Sequence, residues 1–169
     1  MIRGLDPMAQ VDLRADPHDA AAMGRLRAAL GVALPTISNT VTRSADGDRH
    51  ALWLGPDEWL IVGPNGTASA IEAAARDAAA DAVVTTVDVS GNRVVLEVDG
   101  ARARDLLAFG CSLDLDDRAF PVWSCAQANV ARANVVLWRR APERWSLLVR
   151  PSFAAYLQAW LEDARAGLG

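Results

Sequence analysis

Apolar residues in this chain fall in short runs separated by turn-forming residues. The plainest example is Leu52-Trp53-Leu54-Gly55-Pro56-Asp57-Glu58-Trp59-Leu60-Ile61-Val62, where two apolar runs flank a Gly-Pro-Asp-Glu break. Trp, Ile and Val suit a pleated, packed surface, and proline followed by aspartate suits the turn between, so the stretch predicts a β-hairpin. The run Val136-Leu137-Trp138-Arg139-Arg140-Ala141-Pro142-Glu143-Arg144-Trp145-Ser146-Leu147-Leu148-Val149 repeats the order: Leu-Trp, a polar turn with Pro and Glu, Trp, then apolar residues. Pro64 and Pro151 follow the two copies, and an amphipathic helix follows each proline. Two pseudo-repeated hairpin-helix units are therefore predicted.

The remaining pattern fits around them. Val11–Arg14 predicts a short strand, and Asp16-Pro17 opens a helix with Ala22, Leu26, Ala29 and Leu30 on one face, closed by Gly31. Ile37–Thr42 predicts another strand, followed by a polar tip at 44–48. Ser69 and Glu72 have the spacing of a capping box for a helix reaching Ala80. Val83–Val89 and Arg93–Val98 predict strands joined by a Ser90-Gly91-Asn92 turn, and Asp99-Gly100 leads into a helix ending at Gly110. Residues 111–124 are loop-like, Cys125–Ala131 is a strand, and the last helix carries Phe153, Leu157, Trp160, Leu161 and Ala164 along one side. Strands and helices do not alternate throughout, so the fold class is α+β with a mixed, mainly antiparallel sheet. Residues 1–9 read as a flexible N-terminus. Residues 10–169 read as a single domain of two similar halves, about 32–82 and 83–165.

Composition removes several functions. A net charge of −4 argues against general nucleic-acid binding. All 17 basic residues are arginine, so Schiff-base chemistry and a phosphate-loop lysine are excluded. The apolar runs are far shorter than the ~20 residues of a membrane span, and the N-terminal residues lack a signal-peptide core. Cys111 and Cys125 have no CxxC spacing and fit free, buried thiols in a reducing cytoplasm.

Local chemistry is sparse. His18 and His50 belong to no metal-binding motif, so no metal is expected. Gly63-Pro64-Asn65-Gly66 reads as a strand-to-helix turn. Asp88-Val89-Ser90 reads as a turn in which Asp and Ser bond the backbone, with a base or ligand as the sharper alternative. The Asp57-Glu58 tip and the Arg139-Arg140 tip carry opposite charge and suggest docking points. Six tryptophans add to this, because Trp serves interfaces as well as cores.

In order along the chain, these motifs resemble the gamma subunit of heterotetrameric sarcosine oxidase. The resemblance is carried by the Leu52–Leu60 run, Asp88-Val89-Ser90-Gly91-Asn92-Arg93, the Gly100–Leu107 helix, Gly110–Leu115, Ala119-Phe120-Pro121 and Val149–Leu161. More remotely, the Asp-x-Ser turn and following helix resemble the folate-binding domain of the glycine-cleavage T-protein. The resemblance implies a T-protein-like fold and a non-catalytic structural role beside alpha, beta and delta subunits, with alpha the expected direct contact. It further implies a complex that oxidises sarcosine to glycine, forms hydrogen peroxide and passes the one-carbon unit to tetrahydrofolate. FAD, FMN, NAD and tetrahydrofolate would belong to the complex and none to this chain. Trp53, Asp57, Glu58, Trp59, Trp123, Arg139 and Arg140 are the candidate interface residues. A stand-alone folate-binding, aminomethyltransferase-like protein is the alternative, and self-association through the Trp hairpins a third reading.

Overall fold

The structure is a computed structural model, and it describes residues 1–168. In chain order its elements are β1 (Ile2–Gly4), β2 (Ala9–Ala15), α1 (Ala20–Leu30), β3 (Val41–Arg43), β4 (His50–Gly55), β5 (Glu58–Gly63), α2 (Ala68–Ala79), β6 (Val84–Asp88), β7 (Val94–Asp99), α3 (Ala103–Ala108), β8 (Cys125–Val130), β9 (Ala133–Ala141), β10 (Arg144–Val149) and α4 (Pro151–Gly167). They form two compact units, Pro7–Gly91 and Asn92–Gly169 with Met1–Asp6. Each unit holds one five-stranded sheet in which every pairing is antiparallel.

The α+β class and the two hairpin-helix units are present, but the duplication is larger than expected. The sheet of the first unit runs β3-β4-β5-β2-β6, and that of the second runs β8-β9-β10-β7-β1. In each, a strand and helix (β2-α1, β7-α3) precede three strands and a helix. The fifth strand differs in origin: β6 follows α2 in the chain, whereas β1 comes from the N-terminus. The boundary falls at Gly91–Asn92 rather than near residue 82. Residues 1–9 are likewise structured rather than a free lead. Ile2, Arg3 and Gly4 pair with Val98, Glu97 and Leu96, and the Leu5 N–H donates to the Val95 carbonyl at 2.9 Å.

Each sheet packs two helices on one face. In the first unit Val11, Leu13, Trp59 and Ile61 meet Leu26, Leu30, Ile71 and Ala75. In the second, Leu96, Val98, Leu137, Trp145 and Leu147 meet Leu106, Leu107, Leu157 and Leu161. Alternate residues on the other faces, including Leu52, Leu60, Val62, Val95, Val136 and Leu148, are buried as well. That explains why the strands read as continuous apolar runs and not as clean alternation.

Several boundaries move for local reasons. Helix α1 starts at Ala20 because Asp19 caps it, its carboxylate accepting the Ala22 N–H at 2.9 Å; Asp16 instead accepts the His18 N–H at 2.8 Å in a preceding turn. Gly31 closes the helix in the left-handed region, φ 67°. The capping box at Ser69 does not form, since α2 begins at Ala68 and the Thr67 hydroxyl donates to the Pro64 carbonyl at 2.8 Å. The expected 37–42 strand shrinks to Val41–Arg43, with Ile37 outside it and exposed. The helix expected between Gly100 and Gly110 shrinks to Ala103–Ala108.

Candidate functional site

The seven candidate interface residues fall in two groups, one in each unit. In the first unit, Trp53 and Trp59 face each other across β4 and β5. Trp59 is fully buried, its indole N–H donating to the Pro35 carbonyl at 2.7 Å, so it is a core anchor and not a docking residue. Trp53 is half-buried against the same cluster. The acidic tip is already engaged within the unit: Arg14 lies 2.7 Å from Glu58 and 3.5 Å from Asp57. Burial pushes the Glu58 carboxyl above the ordinary carboxylate range. A hydrogen bond with the Asp12 side chain and the Asp12 charge push the same way, while Arg14 opposes them. The Asp57 side chain stays exposed.

The second group separates more sharply. Arg139 is buried, only 4% exposed, and donates to the Phe120 carbonyl at 2.8 Å and the Pro142 carbonyl at 2.9 Å. It pairs with Asp117 at 2.7 Å, and its guanidinium lies 5.0 Å from the Trp145 ring centroid. This arginine pins the 111–124 loop to the hairpin and, being buried, is not the docking point its sequence setting suggests. The hydrogen bond and charge of Arg139 hold Asp117 below the usual carboxylate range. Arg140 is half-buried and stacks over Trp138 at 4.8 Å, and burial lowers its pKa. Trp123, in the left-handed region at φ 69°, donates its N–H to the Arg139 carbonyl and tilts its ring against Trp138.

The Asp88-Ser90 motif is a turn. The Ser90 N–H and hydroxyl both donate to Asp88 Oδ1, at 2.9 and 2.6 Å, and lower its pKa. The Gln10 N–H donates to Ser90 Oγ at 3.0 Å, tying the turn to β2. Cys111 and Cys125 are both buried and are not joined in a disulfide. Among the described residues, no three His, Cys, Asp or Glu side chains gather as a metal site, and no helix is long and apolar enough to cross a membrane.

A feature of the second unit was absent from the candidate set. A cleft of about 560 Å³ opens between the end of α3, the β8–β9 turn and α4, lined by Phe109, Gly110, Arg132, Tyr156 and Trp160 among others. Gly110 is required there: a Cβ would stand 2.5 Å from the Trp160 ring and 2.9 Å from the Ala131 nitrogen. The face of α4 expected to carry Phe153 with Leu157 and Leu161 splits. The two leucines go into the core, while Phe153 and Tyr156 stay on the surface, their rings edge-on at 6.3 Å. The spacing of Phe153, Tyr156 and Trp160 on a helix without charge from Pro151 to Leu161 was the available signal. Phe109 and Arg132 give none, because only the tertiary fold brings them there.

Two antiparallel sheets, each with two helices on one face, define a class that includes an aminomethyltransferase. The glycine cleavage system aminomethyltransferase T from Bartonella henselae superposes with a TM-score of 0.68 at 13% identity, over 95% of this chain and 44% of that one. Closer similarity resolves the family. Residues 13–167 match the family described as "Sarcosine oxidase, gamma subunit family". The sarcosine oxidase subunit gamma of Corynebacterium sp. (strain P-1) is 38% identical over 155 residues, covering 92% of this chain and 74% of the relative. A chain of heterotetrameric sarcosine oxidase from Corynebacterium sp. U-96, solved with pyrrole 2-carboxylate, matches with a TM-score of 0.88 and 32% identity, over 99% of this chain and 84% of that one. The chain belongs to the sarcosine oxidase gamma subunit family.

Proposed function

We propose that this chain is the small structural subunit of a four-subunit complex that oxidises sarcosine to glycine, an oxidoreductase acting on a CH–NH donor with oxygen. The observation that carries the reading is the likeness, along 99% of the chain, to a chain of a heterotetrameric sarcosine oxidase. The side chains support a structural part. Asp88 and Asp117, both shifted downward, are accounted for by a turn and by an ion pair that pins a loop. In this reading the alpha, beta and delta subunits carry FAD, FMN, NAD and the tetrahydrofolate site, with alpha in direct contact, and the assembly works in the cytoplasm. Co-expression with the three partner subunits tests it. The expected result is a complex containing this chain, with sarcosine-dependent peroxide formation that falls when the chain is left out. Full sarcosine turnover by a stable complex lacking it contradicts the proposal.

The second reading is a folate-binding, aminomethyltransferase-like chain, favoured by the fold shared with aminomethyltransferase T. Calorimetric titration of the purified chain with tetrahydrofolate decides it: binding heat at micromolar ligand supports this reading, and none at high micromolar removes it.

A further inference from the structure

Surface aromatics are concentrated in one place. Phe109, Phe153 and Tyr156 are 63%, 42% and 39% exposed, and no other aromatic side chain among the described residues is exposed to this degree. Phe109 and Tyr156 line the cleft beside α4, with Trp160 half-buried in its wall, and Phe153 meets the Tyr156 ring edge-on beside it. The cleft is preformed. The N–H groups of Gly110 and Cys111 donate to the Leu107 carbonyl, and that of Ala131 donates to the Gly110 carbonyl at 2.8 Å. A β-bridge between Cys111 and Val130 holds the same corner, so the α3 end and the β8–β9 turn move as one piece.

The other unit supplies an internal control. Helix α2 follows its hairpin as α4 follows the second one, yet its exposed residues are Ser69, Ala70, Ala73, Arg76 and Asp77. The architecture does not demand aromatics on this helix face. Exposed aromatic surface around a rigid cleft is the usual anatomy of a protein-docking site. Charge indicates the occupant. Arg132 is the one charged side chain lining the cleft. Among the described residues, the ion pairs of this unit use Arg3, Arg102, Arg104, Arg139, Arg144 and Arg165 and leave Arg132 out.

We infer that this cleft seats an apolar side chain of another subunit of the complex, flanked by a carboxylate that pairs with Arg132. The inference rests on the subunit role proposed above and names the surface that performs it. The aromatic rings supply desolvated contact area at low entropic cost, and Arg132 fixes register and the rate of encounter.

The test is titration of the purified chain into the complex assembled without it, for wild type, the Phe109→Ser/Tyr156→Ser double variant, and Arg132→Glu. Circular dichroism and melting of each variant alone establish that it is folded; Arg132, on a turn, is the variant that leaves the aromatic packing intact. The double variant is expected to bind about 100-fold more weakly. Arg132→Glu is expected to bind about 10-fold more weakly, with a changed salt dependence. If wild type binds and both folded variants bind equally well, the cleft assignment is overturned while the subunit role stands. If wild type itself does not bind, both fall. A wild-type homodimer in light scattering that the double variant abolishes would assign the cleft to a second copy and also overturn the inference.

Discussion

Trp59 and Trp145 stand at corresponding places in the two units, on the central strand and against the helices, yet they are held by different chemistry. Trp59 faces Trp53 across the hairpin and donates its indole N–H to the Pro35 carbonyl. Trp145 faces Arg139, which lies over its ring while Phe120 stacks at 5.5 Å, and its own indole N–H has no partner among the described residues. The cause is the residue that fills the place opposite each ring, not the length of the hairpin. Trp53 pairs with Trp59 and Arg139 with Trp145, six positions apart in both hairpins, and each hairpin carries a register shift on the turn side of that pair. Side chains alternate with period two along a strand, so Trp138, one residue before Arg139, points to the opposite face at the place Leu52 holds in the other unit, and Arg139 stands where Trp53 does. The loop ahead of each hairpin is still anchored through a carbonyl, Pro35 by an indole and Phe120 by a guanidinium.

Breaking this comparison begins with the rings. Trp59→Ala and Trp145→Ala should each cost about 3–5 kcal/mol in urea unfolding, as truncation of a buried aromatic does. The Phe variants separate them: Trp59→Phe leaves the Pro35 carbonyl unpaired and should cost about 1–3 kcal/mol more than Trp145→Phe, which loses no hydrogen bond. Equal costs would mean that the indole bond to Pro35 is not what distinguishes the two anchors. Next, Arg139→Met should cost about 2–3 kcal/mol, because two carbonyls lose their donor. Asp117→Asn should cost much less than Arg139→Met, since Asp117 is 71% exposed and solvent screens the pair. Gly110→Ala should cost about 1–3 kcal/mol through overpacking against Trp160.

The smallest effects lie in acid. The Asp117 pKa is lower folded than unfolded, so its contribution is complete above the ordinary carboxylate range and is lost as pH falls through the folded value. Glu58 has the opposite sign: its raised pKa means that protonation on acidification favours the folded chain. Urea midpoints at pH 5 and pH 3 should therefore fall less for Asp117→Asn than for wild type, and more for Glu58→Gln.

Much of the fold was legible in the residues and much of the site was not. The hairpins and the helices after Pro64 and Pro151 follow from local pattern, turn chemistry and apolar spacing. The N-terminal strand did not, because Ile2–Gly4 is ordered by pairing with β7, more than ninety residues away in the chain. Arg139 looked like a surface cation because Arg-Arg beside Pro-Glu reads as a solvated tip; its burial depends on Phe120 and Asp117, supplied by a loop without periodicity. Phe109 and Arg132 became neighbours of α4 only through tertiary packing. The long-range partner, invisible to local pattern, separated the residues that hold the chain together from those left to meet another one.

The central claim is that α4 and its cleft, and not the matching helix α2, form the face that meets the rest of the complex. Amide hydrogen exchange on the chain, alone and in the assembled complex, tests it most directly. Slowed exchange is predicted at residues 107–112, 130–133 and 151–161, with residues 68–79 unchanged. Slowing confined to 68–79, or no difference across the cleft, would contradict the account.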